Sequence, residues 1–584
     1  MPTTTTPTAT TPATTAHPPV RSRFSWVDAL LLLGLGALIA GLVALARRWE
    51  APLRPTVDID LSVWALPKYT LLSLARGVAA YILSLIFTLT YGTVAAYSRR
   101  AERVMIPVLD ILQGIPVLGF LPGLVLGMVA LFPHSNIGLE LACIVMIFTG
   151  QVWNMTFAFY GALRAIPTEL REAAQVYRFG WWKRFRTVEV PSAMIGLVWN
   201  SMMSMAGGWF FLTVNEAFTL GDRDFRLPGI GAYMSVAIER GDARAMAAAV
   251  VAMITMIVAV DQLLWRPALA WAQKFKVEET GTAQAPTSWA LDLLRRSRVL
   301  PWIETQLRRI AMRLESRRAA RSVPSLASPL SRQLWLQRGA GIAAAVGFGS
   351  LTLWGVTHLV RLLAALALHE WLRLLIALAL TFLRTATALT LSALWAVPVG
   401  VWIGLSPKRV RMLQPLIQIA AAFPAPMIFP VVTLVILALG INFSWGCVVL
   451  MLLGAQWYVL FNVLAGASAM PQDLREAAEV YGLSRWARWR TLYLPAIFPS
   501  LVTGLITAAG GAWNASIVAE YVHYRDQTLI APGLGSLITE ATAAADFPLL
   551  AAGVLTMSLA LVALNRTVWH RLYRLADDRF SLNR

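Results

Sequence analysis

Glu172 and Glu476 lie 304 residues apart in nearly identical polar stretches. The first reads Ile166-Pro167-Thr168-Glu169-Leu170-Arg171-Glu172-Ala173-Ala174, and Pro191 follows nineteen residues after Glu172. The second reads Met470-Pro471-Gln472-Asp473-Leu474-Arg475-Glu476-Ala477-Ala478, and Pro495 follows at the same spacing. Pro167 and Pro471 suit a helix start, where the missing N–H costs nothing. The acidic residues just inside complement the helix dipole. Paired alanines let another protein surface approach the backbone closely. The chemistry these stretches suggest is recognition: two equivalent docking sites for a symmetric partner.

A second set of candidates lies inside apolar segments, where ionisable groups are costly and functional by default. Arg76 recurs as Arg384 and Glu216 as Glu520, while Trp209, Trp513, Asn215 and Asn514 share the glutamates' segments. Duplication would set each pair about a pseudo-two-fold axis, lining a translocation path. For the arginines the alternative is snorkelling to the interface or pairing with a neighbouring carboxylate. For the glutamates it is a helix end near water, capping the Gly-rich segment that follows. Asp261 is expected to pair with Arg266 near the inner face. No catalytic residue and no metal site stand out. His134, His358, His369 and His523 are scattered, and Cys143 and Cys447 sit in apolar segments, against a disulfide or zinc site.

The elements that position these residues must be membrane helices. The chain has 584 residues, 57% hydrophobic and 14% charged, with a mean hydropathy of +0.62. Many apolar runs approach the roughly 20 residues that cross a hydrocarbon core. The net charge of +19 falls mostly between those runs, as the positive-inside rule expects, rather than in a nucleic-acid surface. Six spans per half are expected, near 26–46, 70–97, 105–132, 138–163, 192–216 and 243–265, then 339–361, 371–405, 412–440, 443–465, 496–519 and 547–567. Arg21 and Arg23 place the N-terminus in the cytoplasm, and even span counts return the C-terminus there. Pro116 and Pro122, with Pro424, Pro426 and Pro430, should break or kink the third helix of each half.

The repeat extends well beyond the polar stretches. Gly92 matches Gly400 and Pro116 matches Pro424 at an offset of 308; Trp153 matches Trp457, and Pro228-Gly229-Ile230-Gly231 matches Pro532-Gly533-Leu534-Gly535, at 304. An even number of spans per repeat makes the two halves parallel. The expected fold is therefore an all-α polytopic membrane protein of about twelve helices in two six-helix repeats. The expected divisions are a disordered tail at 1–25, a first membrane domain at 26–270 with its polar loop at 166–191, and a basic connector at 271–337. A second domain follows at 338–570 with its loop at 470–495, and then a tail at 571–584. The connector alternates apolar and basic residues from Trp289 onward, suiting either an anionic leaflet or a solvated tether.

Glu476-Ala477-Ala478, then Gly482 and Pro495, resembles the signature of ABC importer permeases. The first copy keeps Glu172, Ala173, Ala174 and Pro191 but carries Arg178 at the glycine position, with Gly180 two residues later. Trp513 to Glu520, followed by Gly533-Leu534-Gly535, is similar to the nitrate/sulfonate/taurine/bicarbonate branch. The resemblance implies two permease domains fused in one inner-membrane chain that imports a small solute, an anion of that kind. It implies a cytoplasmic ATPase dimer docked at Glu172, Ala173, Ala174 and Gly180 and at Glu476, Ala477, Ala478 and Gly482. It also implies an extracytoplasmic solute-binding protein. The five lysines, Lys68, Lys183, Lys274, Lys276 and Lys408, never follow a glycine, so no phosphate-cradling Gly-Lys-Ser/Thr loop is present. ATP and Mg²⁺ would then belong to the partner, leaving no cofactor and no enzyme activity in this chain. A secondary transporter with two six-span repeats, or a membrane scaffold or sensor, stand as the alternatives.

Overall fold

The computed structural model describes residues 58–220, 223–275, 288–296, 353–524 and 527–580, with isolated positions at 29, 305, 347, 349 and 350. The expected tail at 1–25, the span at 26–46, the start of the span at 339–361 and most of the connector lie outside the described residues. Contacts divide the chain into two compact units, 1–37 with 289–328 and 38–288 with 329–584. In the smaller unit an eight-residue helix, Trp289–Arg296, is described.

The larger unit is a duplicated set of helices. In its first half α1 (Leu66–Tyr97), α2 (Arg99–Gly114), α3 (Leu121–Leu131) and α4 (Ile137–Arg164) lead to the short α5 (Thr168–Val176). The helix α6 (Val190–Glu216), a two-residue hairpin β1 (Thr219–Leu220) with β2 (Arg223–Asp224), α7 (Ile230–Glu239) and α8 (Ala243–Val260) follow. The second half repeats this order as α9 (Leu368–Gly404), α10 (Pro407–Ala422), α11 (Phe429–Ala438), α12 (Phe443–Ser468), α13 (Gln472–Val480) and α14 (Leu494–Ala519). The hairpin β3 (Tyr521–Tyr524) with β4 (Gln527–Ile530), α15 (Leu534–Ala543) and α16 (Phe547–Leu564) complete it. The two small hairpins depart from a purely helical expectation; both sit just after the buried glutamates.

Local chemistry explains the breaks. Ile115 and Phe423 precede prolines and take extended ψ angles of 132° and 126°, as the clash with the proline ring demands. Each break continues as a short 3₁₀ turn, Val117–Phe120 and Ala425–Met427. In the first half the helices on either side of the break are bent by 85°. At Phe185–Glu189 and Trp489–Tyr493 the chain forms π-turns immediately before Pro191 and Pro495, where a proline cannot continue regular i−4 bonding.

Packing follows small residues. The α4 helix lies between α1 and α6, and α12 between α9 and α14. Gly77 faces Trp209 so closely that a Cβ there would meet the indole at 2.7 Å, and Gly400 faces Val463 at 2.8 Å. Close approach at glycine is the usual means of joining helices in lipid. Large apolar side chains such as Ile82, Ile86, Leu372 and Phe382 remain exposed on α1 and α9. Among the described residues seven helices are long and apolar enough to cross a membrane, or eight counting the bent pair as one span. The α6 helix and the broken α10–α11 pair fall short of that measure, so the twelve expected spans are not all matched.

Candidate functional site: twin surface helices and a central cavity

The repeated polar stretches form α5 and α13, each starting after a proline with φ near −55°. Their arginines moor them to the membrane helices. Arg171 Nη2 donates to the Leu163 carbonyl at 2.6 Å; Arg475 donates to the Met470 carbonyl at 2.9 Å and the Leu405 carbonyl at 3.1 Å. Ala174 and Ala478 are buried against the membrane helices, while Glu172, Ala173, Glu476 and Ala477 are exposed.

Both helices end in the same hydrogen-bonded turn. Phe179 N–H donates to Ala174 O at 2.9 Å and Arg178 N–H to Gln175 O at 2.9 Å; Leu483 and Gly482 repeat this onto Ala478 and Glu479 at 3.1 and 3.0 Å. This pairing needs a left-handed residue just beyond the helix. Gly482 supplies it at φ +62°, and Arg178 supplies it at φ +49°. The first turn therefore bends like the second despite lacking glycine. Gly180 instead takes φ −60° and precedes the one-turn helix Trp181–Arg184. The end of each helix, just before the left-handed residue, presents an exposed apolar face: Val176 is 79% and Tyr177 75% exposed, Val480 85% and Tyr481 81%. Trp181, Trp182 and Trp486 extend it. The Val-Tyr pair is identical in the two copies, a signal available from the repeat alone.

The repeated ionisable pairs form two buried clusters, one within each half. Arg76 Nη1 reaches Glu216 at 2.7 Å and the Pro228 carbonyl at 3.0 Å, and its Nε and Nη2 grip Glu140 at 2.6 and 2.7 Å. Arg384 Nη1 reaches Glu520 at 3.0 Å and the Pro532 carbonyl at 2.8 Å. Its Nε goes to the backbone carbonyl of Ser444, the counterpart of Glu140, at 2.7 Å. Each glutamate also accepts from the helix that follows: Gly231 N–H at 2.9 Å and Gly535 N–H at 2.8 Å. Ser73 and Thr381 complete the shells by donating to the glutamates and accepting from Ile230 and Leu534 N–H. The Pro-Gly-Ile/Leu-Gly motif is thus a glutamate cradle. Ser73, Glu140 and Thr381 were not singled out in the sequence, although Ser73 and Thr381 share the 308 offset of the arginines.

These clusters lie apart from the lining of the central space between the halves. Between the halves, among the described residues, lies a central cavity of about 260 Å³ that adjoins both α6 and α14. Its walls come from Thr149, Gly150, Trp153 and Asn154 on α4, Gly454, Trp457, Tyr458 and Phe461 on α12, and facing parts of α6 and α14. Arg76, Arg384, Glu216, Glu520, Trp209, Trp513 and Asn215 are absent from its lining. The reason is geometric: the ion clusters join α1, α6 and α7, or α9, α14 and α15, inside one half. Trp209 packs on Gly77 and lines a separate space of about 40 Å³ with Asp261 and Gln418. Trp513 is buried, and Asn215 Nδ2 donates to Phe211 O at 2.7 Å. Asn514, by contrast, does line the cavity. Asp261 pairs with Arg266 at 3.1 Å.

The cavity chemistry is aromatic and amide-rich. Asp110 and Arg566 are its charged lining residues, and Asn565 Nδ2 donates to Asp110 at 3.2 Å. Trp153 Nε1 is buried and has no hydrogen-bond partner among the described residues.

Comparison with known proteins agrees with this architecture. The family model described as "Binding-protein-dependent transport system inner membrane component" matches twice, at residues 88–264 and 396–581. The bicarbonate transport system permease protein of Synechococcus elongatus is 32% identical over 139 residues, 24% of this chain and 49% of the relative. The taurine transport system permease protein of Escherichia coli is 28% identical over 33% of this chain and 70% of the relative. The nitrate import permease protein of Leptolyngbya laminosa is 28% identical over 24% and 48%. The chain thus spans about half the length of the bicarbonate and nitrate relatives it matches. Among solved structures, an inward-facing MetNI methionine ABC transporter covers 36% of this chain at 19% identity and a TM-score of 0.31, with 99% of its own chain covered. This chain, matched twice by one family model, belongs to the binding-protein-dependent transport system inner membrane component family.

Proposed function

We propose that this single chain supplies both halves of the membrane pathway of an ATP-driven importer. The observation that carries the reading is the twin geometry of α5 and α13. Each is moored by an arginine, closed by the same left-handed turn and crowned by an exposed Val-Tyr face. Two matching faces suit two ATPase subunits, which bind the ATP and Mg²⁺. Closure of that dimer would draw α5 and α13 together and switch the pathway between its two openings. A solute-binding protein outside the cell would deliver the cargo, and both termini would lie in the cytoplasm of an inner (plasma) membrane. A secondary transporter would have no use for the twin faces.

For the solute, the cavity favours a small organic oxyanion or zwitterion of the taurine kind over a bare inorganic anion. Aromatic faces carry negative charge density and repel an anion that has no apolar body to stack. With Asp110 balancing Arg566, the lining holds no net positive charge. Hydrogen-bond donors such as Trp153 Nε1 can still bind an oxyanion head.

The test is co-purification of candidate ATPases with the intact chain, comparing wild type with Glu172→Arg, Glu476→Arg and the double variant. Both glutamates are exposed, so folding is preserved. Loss of the ATPase from the double variant supports the reading; undiminished binding overturns it.

A further inference from the structure

Four segments change cavity within one turn, at positions related by the repeat. Val117 lines the central cavity and Leu118 a second one; Ala425 and Pro426 divide in the same way. Phe210 and Asn514 line the central cavity, while Thr213 and Ile517, three residues on, line the second. The second cavity, of about 480 Å³, reaches the hairpin residues Thr219, Tyr521 and His523. The central one reaches the end of α16 at Asn565, Arg566 and Trp569. A septum one helical turn thick therefore separates two cavities on the boundary between the halves.

The septum is built crosswise. The 3₁₀ turn Val117–Phe120 of the first half packs on α14 of the second, and Ala425–Met427 packs on α6 of the first. Opening it requires these turns to leave the opposite helices. On one side a polar tie resists that: Val117 N–H donates to Asn514 Oδ1 at 2.9 Å, while Asn514 Nδ2 is fixed on the Gly510 carbonyl at 3.0 Å. On the other side the counterpart of Asn514 is Phe210, whose side chain has no acceptor to offer Ala425 N–H. Opening the Val117–Asn514 side must break its hydrogen bond, at a net cost.

We propose that the Val117–Asn514 hydrogen bond is a one-sided latch that holds the septum shut between the two cavities, with Asn514 as its positioning residue. The inference rests on the permease reading above. The side at Ala425 and Phe210 has no such side-chain tie among the described residues and separates first. The latch side must exchange a backbone hydrogen bond before the pathway opens through.

The test is thiol accessibility in the full chain with Cys143 and Cys447 replaced by alanine and Thr507→Cys placed in the central cavity. A membrane-impermeant charged methanethiosulfonate is applied to spheroplasts and, separately, to inverted vesicles. With the latch intact, Cys at 507 reacts rapidly from one side and slowly from the other. Asn514→Ala and Val117→Pro each raise the slow rate about five-fold, the factor that one net hydrogen bond sets. The proline is tolerated at the first position of the 3₁₀ turn, where it removes the donor alone. The double variant is no faster than either single one, and Phe210→Asn slows the reaction by supplying a second acceptor. An unchanged fast rate shows that each variant is folded. Slow rates unchanged in both single variants, or additive in the double, overturn the latch. Equal reaction from both sides with the latch intact would instead overturn the pathway reading itself.

Discussion

Arg178 and Gly482 occupy the same left-handed position, at φ +49° and +62°, after equivalent surface helices. A side chain with a Cβ pays about 1 kcal/mol there that glycine does not. Arg178→Gly is expected to raise the thermal midpoint of the detergent-solubilised chain, corresponding to about 1 kcal/mol. Gly482→Ala should lower it by a similar amount. A scanning fluorimetry trace of each variant checks both; opposite signs would mean that side-chain contacts of Arg178 outweigh its backbone strain.

Glu140 and Ser444 are counterparts with different duties. Arg384 is satisfied by the Ser444 backbone carbonyl, so the same carbonyl geometry is open to Arg76 once Glu140 is shortened. Glu140→Ser should therefore be tolerated, with a change of about 1–2 kcal/mol. Glu216→Ala removes the acceptor for Arg76, Ser73 and Gly231 together. Arg76 keeps its pair with Glu140, but the buried Ser73 hydroxyl and Gly231 N–H lose their acceptor, at about 1–3 kcal/mol each, and the variant should fail to yield a monodisperse peak by size-exclusion chromatography. A Glu140→Ser variant as unstable as Glu216→Ala would show that Glu140 is indispensable to the cluster.

Gly229 and Gly533 are fixed by their glutamates. A Cβ at either would lie 2.3 Å from a carboxylate oxygen of Glu216 or Glu520. Their φ angles of −176° and −173° are ordinary extended backbone, so space rather than conformation demands glycine. Gly229→Ala and Gly533→Ala should each destabilise the chain by about 2 kcal/mol or more through displaced carboxylates. Thermal midpoints within a degree of wild type would contradict this.

Much of the fold was legible because the duplication preserved register over many spans, and helix breaks follow from Pro116 and Pro424 by backbone sterics alone. The surface helices α5 and α13 were legible from Glu-Ala-Ala and proline spacing. What sequence could not supply was partnership across helices. Arg76 and Glu216 were visible as intramembrane charges, but whether they faced a path or each other depends on distances between α1, α4 and α6. Glu140 escaped notice because its counterpart is Ser444, so the repeat gave no signal there. Arg178 shows the same limit in reverse: its side chain argued against a left-handed turn, and the hydrogen bonds of Phe179 and Ala174 impose one. The hairpins are only two and four residues per strand, too short for an alternating pattern to be read.

The most direct test of the account is the mass of the assembled complex. Native mass spectrometry of the intact chain, purified with its ATPase from the membrane, should give one permease chain with two ATPase subunits, because α5 and α13 present two matching faces. A complex of two permease chains with two ATPase subunits, or a permease with no ATPase at all, would contradict the proposal that one chain holds both halves of the pathway.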